Sequence, residues 1–509
     1  MTENEQLNKQ VEQYYQKQKD NMFREEREKK AKAQAEYAML MPPVNDRTDT
    51  GQAERFIKYA NGCIAYNHQW GWSCYTQTAD GGGVWVDSEE SVVNLYLQFT
   101  NAQRVALVDS GIMNDEATAQ EGETASKFIR HYRSAAAIRA VLMIAANKAY
   151  TQPEQWDNNP YLLNAQNGVI DLKTGDLLNA APHYHMRKIC ACKYLKTPNG
   201  ADMWQATLDR IIIDDNGKPD IELQCYLNGI GGFAALGKSY EVLYMCYSNG
   251  GSGKSTMWDT IAHTLGNYAV IVPPDLLVCD ERRGDNSAAR FMIDGLNGAR
   301  LALMSETDDG QMLSAKQLKL LTANHKISAE QKHKARYEFT PTHTLVMHTN
   351  NIPRIHAKDD GVWDRLKIIP YRARIRNTPD DDKQYRDKLK AQADEAVLKW
   401  LVDGAICITG IGERLDEPDS VRTIVEKQRG ADAIPDSIKA FLDDCCSVDG
   451  NGLSVKTTSL YSQYAHYTTQ NGFDTVSSLK FKKVLLEYCG VTYRNTNQGS
   501  YYYGIELIH

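Results

Sequence analysis

The chain has 509 residues, which is too many for one ordinary hydrophobic core and predicts two to four domains. With 42% hydrophobic and 24% charged residues, and with no apolar run near the ~20 residues of a membrane span, its composition is typical of a globular protein that works in water. The formal net charge of -7 argues against a general nucleic-acid coat protein, whereas a motor that gathers positive charge in a channel is compatible with it.

Residues 1–45 form a charged arm that we expect to be helical or disordered, and two consecutive prolines end it. A globular α+β domain is predicted at 46–199. Within it, 125–149 has helical periodicity, and the turn signal Asn167-Gly168 predicts a hairpin.

Cysteines are scattered along the chain, 11 in all, and the N-terminal segment is polar rather than apolar. An odd number of scattered cysteines is typical of reduced thiols, so we expect a cytoplasmic protein. One group invites a zinc hypothesis: His183, His185, Cys190 and Cys192. Its spacing lacks the two turn-linked ligand pairs of structural zinc sites, and we prefer a half-buried strand as its interpretation.

The sharpest motif lies between Ser239 and Thr256. An apolar run, typical of a buried strand, leads into a glycine-rich loop that ends in Lys254 and Ser255, and an amphipathic helix follows. This is the context of a Walker A loop, in which backbone N–H groups and a helix N-terminus bind phosphates. We predict that Lys254 reaches the β- and γ-phosphates of ATP and that the Ser255 hydroxyl ligates Mg²⁺. The predicted nucleotide-binding residues are Asn249, Gly250, Gly251, Ser252, Gly253, Lys254, Ser255 and Thr256.

The loop departs from the usual motif at its first position, where Ser248 stands in place of glycine. We expect serine to allow the turn, because Asn249 beside it tolerates left-handed backbone conformations. The alternative is a glycine-rich turn that binds nothing.

A P-loop ATPase also needs an acidic residue after a neighbouring strand, and three segments fit. Segment 211–215 precedes the P-loop, and 276–281 follows two prolines that indicate a loop. We prefer 301–306, because an AAA+-like core places a strand and a helix before its acidic strand. Glu306 would then polarise the attacking water and contribute to Mg²⁺ binding, the alternative being a surface carboxylate.

Asn350 follows an apolar strand, which is a sensor pattern, and its amide would orient water or contact the γ-phosphate. Arg365 lies at the chain distance expected of an arginine finger that acts on a neighbouring subunit's ATP; a surface salt bridge is the alternative. Two strand-like pieces flank Lys332, His333 and Lys334. A basic hairpin tip binds a phosphate backbone without reading sequence, and a solvated turn is the alternative.

The segment 430–509 predicts three helices followed by strand, turn and strand, the order of a winged helix. Lys480, Lys482 and Lys483 lie on its third helix and Arg494 on its wing, so we predict that this domain binds DNA. A protein-binding or purely structural winged helix is the alternative.

Together these blocks resemble superfamily 3 helicases, and in particular the phage/plasmid primase-helicase family with its poxvirus-like helicase domain. The blocks that carry the resemblance are DTGQAERF (49–56), NNPYLLNAQNGVIDLKTG (158–175), SNGGSGKST (248–256), GARLALMSET (298–307), YEFTPTHTLVMHTNNIPRI (337–355) and DDGVWDRLKIIPY (359–371). The chain departs from the family pattern at Ser248, at Ser305, where an acid is common, and at Asp364, where an arginine is common.

The resemblance implies an α/β fold with an AAA+ P-loop ATPase core at 200–425, an α+β helicase-associated domain at 46–199 and a C-terminal winged helix at 430–509. It implies a homo-hexamer around DNA that binds ATP and Mg²⁺ between subunits. Because the arm at 1–45 is short and charged, we expect no primase active site. The layout is similar to initiator-helicases of bacterial chromosomal islands and staphylococcal cassette elements.

We therefore predict an ATP-dependent DNA helicase that replicates a phage or other mobile element. Its expected partners are single-stranded and forked DNA, origin DNA, and a loader or other replication proteins, with no membrane association. The alternative is an AAA+ protein-remodelling ATPase, whose hydrolysis would not respond to DNA. A P-loop kinase would need no arginine from a neighbouring subunit.

Overall fold

The computed structural model describes residues 3–279, 293–305, 312–330, 336–353, 355, 360–448, 452–497 and 499–508. Two compact units make up the chain, one of Met1–Ile170 and Leu177–Lys193, the other of Asp171–Asp176 and Tyr194–His509. No helix in the described ranges is long and apolar enough to span a bilayer.

The first unit combines helices with two small sheets. Its elements in chain order are α1 (Glu3–Leu40), α2 (Asp49–Ala60), β1 (Ile64–Asn67), β2 (Gly71–Gln77), β3 (Gly83–Asp87), α3 (Glu89–Asp109), α4 (Ala119–His131), α5 (Ala135–Lys148), β4 (Leu162–Ala165), β5 (Gly168–Asp171) and β6 (Leu177–Leu178). The sheets are β1-β2-β3 and β4-β5-β6, and the turn predicted at Asn167-Gly168 joins β4 to β5. The charged arm is a helix, α1, whose last residues Tyr37 and Leu40 are buried in the core of the unit.

Two local predictions for this unit need correction. The helical stretch 125–149 is two helices, because the hydroxyl of Ser134 accepts a hydrogen bond from the backbone N–H of Ala137 and begins a new helix there. The strand predicted around Cys190 and Cys192 is wrong: this segment has no strand residues, although it contacts β4 through hydrogen bonds such as that from the Cys190 N–H to the Asn164 carbonyl. Within the described ranges, no three His, Cys, Asp or Glu side chains come together as a metal site requires.

The first part of the second unit alternates strands and helices. Its elements are α6 (Ala201–Ile211), α7 (Ile221–Ala235), β7 (Leu243–Tyr247), α8 (Lys254–Thr264), β8 (Ala269–Val272), β9 (Val278–Cys279), β10 (Leu301–Met304), β11 (Met312–Leu313), α9 (Ala315–Leu321), β12 (Ile327–Ala329), β13 (Tyr337–Phe339), β14 (Thr344–Thr349), α10 (Asp360–Trp363), β15 (Leu366–Pro370), α11 (Tyr385–Gln392), α12 (Asp394–Gly410) and α13 (Asp419–Ala433).

A five-stranded parallel sheet organises this part, in the order β15-β7-β14-β10-β8. Its three central strands, β7, β14 and β10, are apolar along nearly their whole length and buried, as expected when a parallel sheet is covered on both faces. The predicted α/β core with a parallel sheet is confirmed, and its assignment as AAA+ stays a prediction. The antiparallel pair β12-β13 occupies the predicted hairpin, while Lys332, His333 and Lys334 at its tip lie outside the described residues.

The C-terminal part has more strands than the sequence predicted. Its elements are α14 (Asp436–Cys445), β16 (Cys446–Val448), β17 (Ser454–Lys456), α15 (Thr457–Asn471), α16 (Ser478–Tyr488), β18 (Thr492–Thr496), β19 (Gly499–Tyr503) and β20 (Ile505–Leu507). Three helices and the strand pair β18-β19 were predicted, whereas β16, β17 and β20, of three residues each, were missed. The core beneath them contains Phe441, Tyr464 and Phe481.

Candidate functional site

The candidate site lies at the carboxyl edge of the parallel sheet. The glycine-rich loop follows β7, and Asn350 follows the adjacent strand β14. Because parallel neighbours end at the same edge, two segments almost a hundred residues apart in sequence meet there, as ligand sites of open α/β sheets do.

The loop is shaped by glycines in left-handed conformations. Gly250, Gly251 and Gly253 have φ angles of 96°, 69° and 88°, which a residue with a Cβ atom rarely adopts. Asn249 does not take such a conformation, so the expectation that it would allow the turn in place of a first glycine is wrong. The three glycines allow the turn, and helix α8 then begins at Lys254.

Lys254 is held inside the loop by two oxygen atoms. The side chain is only 4% exposed, and its Nζ donates hydrogen bonds to Ser248 Oγ at 2.8 Å and to Asn350 Oδ1 at 2.5 Å. Ser248 Oγ also accepts from the Gly250 N–H at 3.2 Å, so the serine that replaces the usual glycine contributes to the loop. An ammonium buried beside a glycine-rich loop is placed to bind a polyanion.

A cavity of about 220 Å³ opens beside this lysine. It is lined by the loop, by Asn350 and by residues that the sequence did not point to, namely Arg210, Ile211, Ile375, Arg376, Asp380, Asp381, Asp382 and Tyr385. No sequence motif identifies these residues, because they come from the end of α6 and from the stretch that runs from the end of β15 to the first residue of α11.

Part of the cavity lining beside the glycine-rich loop combines apolar, aromatic and arginine side chains. The Arg210 guanidinium lies 4.3 Å from the ring centroid of Tyr385, whose hydroxyl is 2.7 Å from Thr207 Oγ1. Ile211 and Ile375 pack against the loop itself, since a Cβ atom added to Gly253 would lie 2.8 Å and 3.2 Å from them. We expect these side chains to contact the base of a nucleotide whose phosphates occupy the loop.

Another part of the cavity lining is acidic, with Asp380, Asp381 and Asp382 in succession. A hydrogen bond from the Lys388 ammonium is the main cause that holds the pKa of Asp382 below its usual value. The Asp381 carboxylate accepts a hydrogen bond from the Asn377 N–H at 2.9 Å.

Of the predicted magnesium ligands, Ser255 lines the cavity and Glu306 lies outside the described residues, two positions beyond the end of β10. The left-handed glycine cradle and the buried lysine fit a magnesium-bound nucleoside triphosphate.

Arg365 lies at the amino ends of the parallel strands, whereas the glycine-rich loop lies at their carboxyl ends. Its carbonyl accepts a hydrogen bond from the Leu243 N–H, at the start of β7, whereas the phosphate loop begins after the end of that strand. Five residues at about 3.3 Å each place Arg365 about 16 Å from the loop of its own chain. Its guanidinium pairs with Glu241 at 2.7 Å, so the salt bridge expected as the alternative is present.

Two of the C-terminal lysines predicted to bind DNA have partners within the domain. Lys482 Nζ is 3.2 Å from the ring centroid of Tyr493, and Lys483 Nζ is 3.9 Å from a Glu487 oxygen. Lys480 and Arg494 are exposed.

Three family models match parts of the chain. A D5 N terminal like model matches residues 53–213, a family of unknown function (DUF5906) matches 246–365, and a poxvirus D5 protein-like model matches 433–508. The middle match runs from the end of β7 to Arg365 and so contains the phosphate loop and Asn350.

Similar curated proteins come from large DNA viruses. A putative helicase of Acanthamoeba polyphaga mimivirus is 25% identical over 307 residues, which is 56% of this chain and 30% of that protein. A putative primase of African swine fever virus is 24% identical over 238 residues (46% and 24%), and a putative helicase of invertebrate iridescent virus 6 is 23% identical over 248 residues (46% and 25%). The matches thus span less than a third of the length of these relatives.

Among solved structures, an apo structure of the NrS-1 C-terminal region matches with 12% identity and a TM-score of 0.37, over 61% of this chain and 76% of that one. A likeness of this extent is too low to support a conclusion.

The D5-type matches at both ends of the chain and the viral relatives confirm the resemblance predicted from the motifs: the chain contains a D5 N terminal like region and a poxvirus D5 protein-like region, and it is similar to putative helicases of large DNA viruses.

Proposed function

We propose that the chain is an ATP-dependent DNA helicase that works in replication as a homo-hexamer of superfamily 3 type. The observation that carries the proposal is the meeting of Lys254, in the phosphate loop, with Asn350, at the end of the adjacent strand. A lysine that binds phosphates and an amide that senses the terminal phosphate belong together in a nucleoside triphosphatase.

The order of the strands supports an AAA+ type of core. Strand β14, which carries the proposed sensor, lies between the phosphate-loop strand β7 and strand β10, which leads to Glu306. Along the chain, β8 comes between the phosphate loop and β10, as the sequence argument for choosing 301–306 expected.

In the proposed mechanism the chain's own residues bind, orient and stabilise. Lys254 exchanges its contacts with Ser248 and Asn350 for the β- and γ-phosphates, and the Asn350 amide orients the attacking water. Ser255 would hold Mg²⁺, which neutralises charge on the phosphates, and Glu306 would polarise the water.

Arg365 is proposed to act on the ATP of a neighbouring subunit. It lies too far from its own phosphate loop to reach that loop's ligand, so only a site supplied by another copy fits this role. Hydrolysis would then be coupled between subunits, and such an arginine is worth about 10³–10⁵ in rate.

The DNA contacts are proposed from charge. Lys332, His333 and Lys334 would contact the backbone of one strand in the channel, where contacts need no sequence information. The C-terminal domain, whose helices and strands follow the order of a winged helix, would bind DNA through Lys480 and Arg494 and could select an origin.

Strand separation tests the proposal. Purified wild type should separate a forked duplex in the presence of ATP, and Lys254→Ala should not, because it removes the cation for the phosphates. Lys238→Ala is a matched control, since that lysine pairs with Glu413 away from the loop. A wild type that hydrolyses ATP but separates no fork, with or without a loader, would favour a protein remodeller instead.

A further inference from the structure

The outer face of a small C-terminal sheet combines aromatic and basic side chains. The sheet has the order β17-β19-β18 and is antiparallel throughout. Residues directly opposite one another share a face, and successive residues of a strand alternate between faces. Lys456, Tyr501 and Arg494 therefore form one row across the three strands, and Tyr503 stands two residues along the central strand on the same face.

The opposite face of this sheet is the inner one. Tyr502, which is 3% exposed, belongs to the core of the C-terminal part, and its row neighbours Val455 and Tyr493 pack against that core. The row that contains Tyr501 must therefore point outward. We call this outward surface the wing face; its members are Ser454, Lys456, Thr492, Arg494, Thr496, Gly499, Tyr501 and Tyr503.

The composition of the wing face fits a nucleic acid. Tyr501 and Tyr503 are both half-buried, while Lys456 and Arg494 on either side are exposed. No carboxylate occurs among the described members of the face, which therefore carries two positive charges. The Arg494 guanidinium lies over one face of the Tyr503 ring, 5.5 Å from its centroid, so cation and ring already pack together.

The geometry favours unstacked bases over an intact duplex. Two residues along a strand separate the tyrosines by about 6.8 Å, a spacing at which neighbouring bases of an extended strand can each stack on one ring. Base stacking on aromatic side chains requires single-stranded nucleic acid, and flanking cations hold its phosphates.

We infer that the wing face is a binding site for single-stranded DNA, in which Tyr501 and Tyr503 stack on successive bases while Lys456 and Arg494 pair with the phosphates. The inference rests on the proposed function for the choice of DNA as the nucleic acid. It adds to that function a contact for the separated strand outside the ATPase core.

Photocrosslinking and binding of the full chain test this site. An oligonucleotide of deoxythymidine carrying 5-iodouracil, bound without ATP and irradiated, should crosslink to the peptide that contains Tyr501 and Tyr503. Fluorescence anisotropy with the same oligonucleotide should show about tenfold weaker binding for Tyr501→Ala and for Tyr503→Ala. Tyr501→Phe, which keeps the ring, should bind within about twofold of wild type.

Two controls are available. The alanine variants should bind duplex DNA of equal length as tightly as wild type does. Tyr150→Ala, which changes an exposed tyrosine of the first unit, should bind the oligonucleotide with wild-type affinity. Wild-type binding without a crosslink at this peptide overturns the proposal, even where an alanine variant fails to fold. Equal losses for duplex and single strand, or an equal loss in Tyr501→Phe, also overturn it. Since no ATP is present, these outcomes are independent of whether Lys254→Ala abolishes strand separation.

Discussion

The three glycines of the phosphate loop allow the effect of a glycine-to-alanine substitution on nucleotide affinity to be compared. All three have a positive φ, and they differ in the atoms that an added Cβ would meet. Each has a left-handed backbone, so alanine at any of them costs about 1–2 kcal/mol in the bound loop conformation. The free loop can relax, and the cost then appears as an affinity for nucleotide that is about 5–30-fold weaker. At Gly250 no further cost is expected, because the nearest neighbour of an added Cβ is Asn350 Oδ1 at 3.7 Å.

Gly253→Ala should be worse for a steric reason. Its Cβ would lie 2.8 Å from Ile211 Cγ1 and 3.2 Å from Ile375 Cδ1, both in the wall of the cavity. Overpacking of this kind adds about 1–3 kcal/mol, so the total loss in affinity should reach about 30-fold to several-thousandfold.

Titration of a fluorescent ATP analogue with each variant measures the effect. The expected order of affinity is wild type, then Gly250→Ala, then Gly253→Ala. Gly217→Ala is the control, because this glycine has a similar φ of 76°, with nothing within 4 Å, outside the cavity lining. If Gly253→Ala binds as tightly as Gly250→Ala, the account of Ile211 and Ile375 as the wall of the nucleotide site is refuted.

Three further predictions concern other parts of the second unit. Arg365→Ala and Lys254→Ala should each abolish ATP hydrolysis alone, and a mixture should recover part of it, because an intact site forms where the loop of one subunit meets the arginine of another. Tyr385→Ala should weaken ATP binding about tenfold and leave tripolyphosphate binding unchanged, since Tyr385 faces the base side of the cavity. Burial lowers the pKa of His343 to about 4. In the unfolded chain the histidine pKa is near 6.5, so between pH 6.5 and 4 the unfolded state binds a proton at this residue and the folded state does not. The free energy of unfolding should therefore fall by about 3 kcal/mol as the pH falls from 6.5 to 4.

Each of these predictions has a direct readout. Mixed subunits are followed by phosphate release, and no recovery at any mixing ratio would argue against a site shared between subunits. Calorimetric titration with ATP and tripolyphosphate separates base from phosphate binding, and parallel losses would show that Tyr385 supports the loop rather than the base. Urea unfolding of His343→Gln should lack the acid-dependent loss, and a slope equal to that of wild type would locate the titrating group elsewhere.

The phosphate loop could be predicted from sequence because its determinants are local. A buried strand, glycines that accept positive φ and a lysine at the start of a helix all lie within 243–264. The prediction of a left-handed backbone at Asn249 was nevertheless wrong, because the glycines that follow it adopt that conformation instead. The role of Ser248 could not be predicted, because its contact with the lysine depends on the closed loop.

The base side of the cavity and the wing face could not be predicted for a different reason. Arg210 and Tyr385 are separated by well over a hundred residues and meet only through tertiary packing. Strand β17, which supplies Lys456 to the wing face, has three residues and no apolar alternation strong enough to mark it. A salt bridge of Arg365 was expected as the alternative to its arginine-finger role, but its partner Glu241 could not be named, because that glutamate has an unusual left-handed backbone with φ of 57°.

Steady-state ATP hydrolysis with and without single-stranded DNA tests the central claim, an ATP-driven DNA motor, most directly. We predict hydrolysis that rises when single-stranded DNA is added and is absent from Lys254→Ala under both conditions. A rate of ATP hydrolysis that is the same with and without single-stranded DNA, or hydrolysis that persists in Lys254→Ala, would contradict the account.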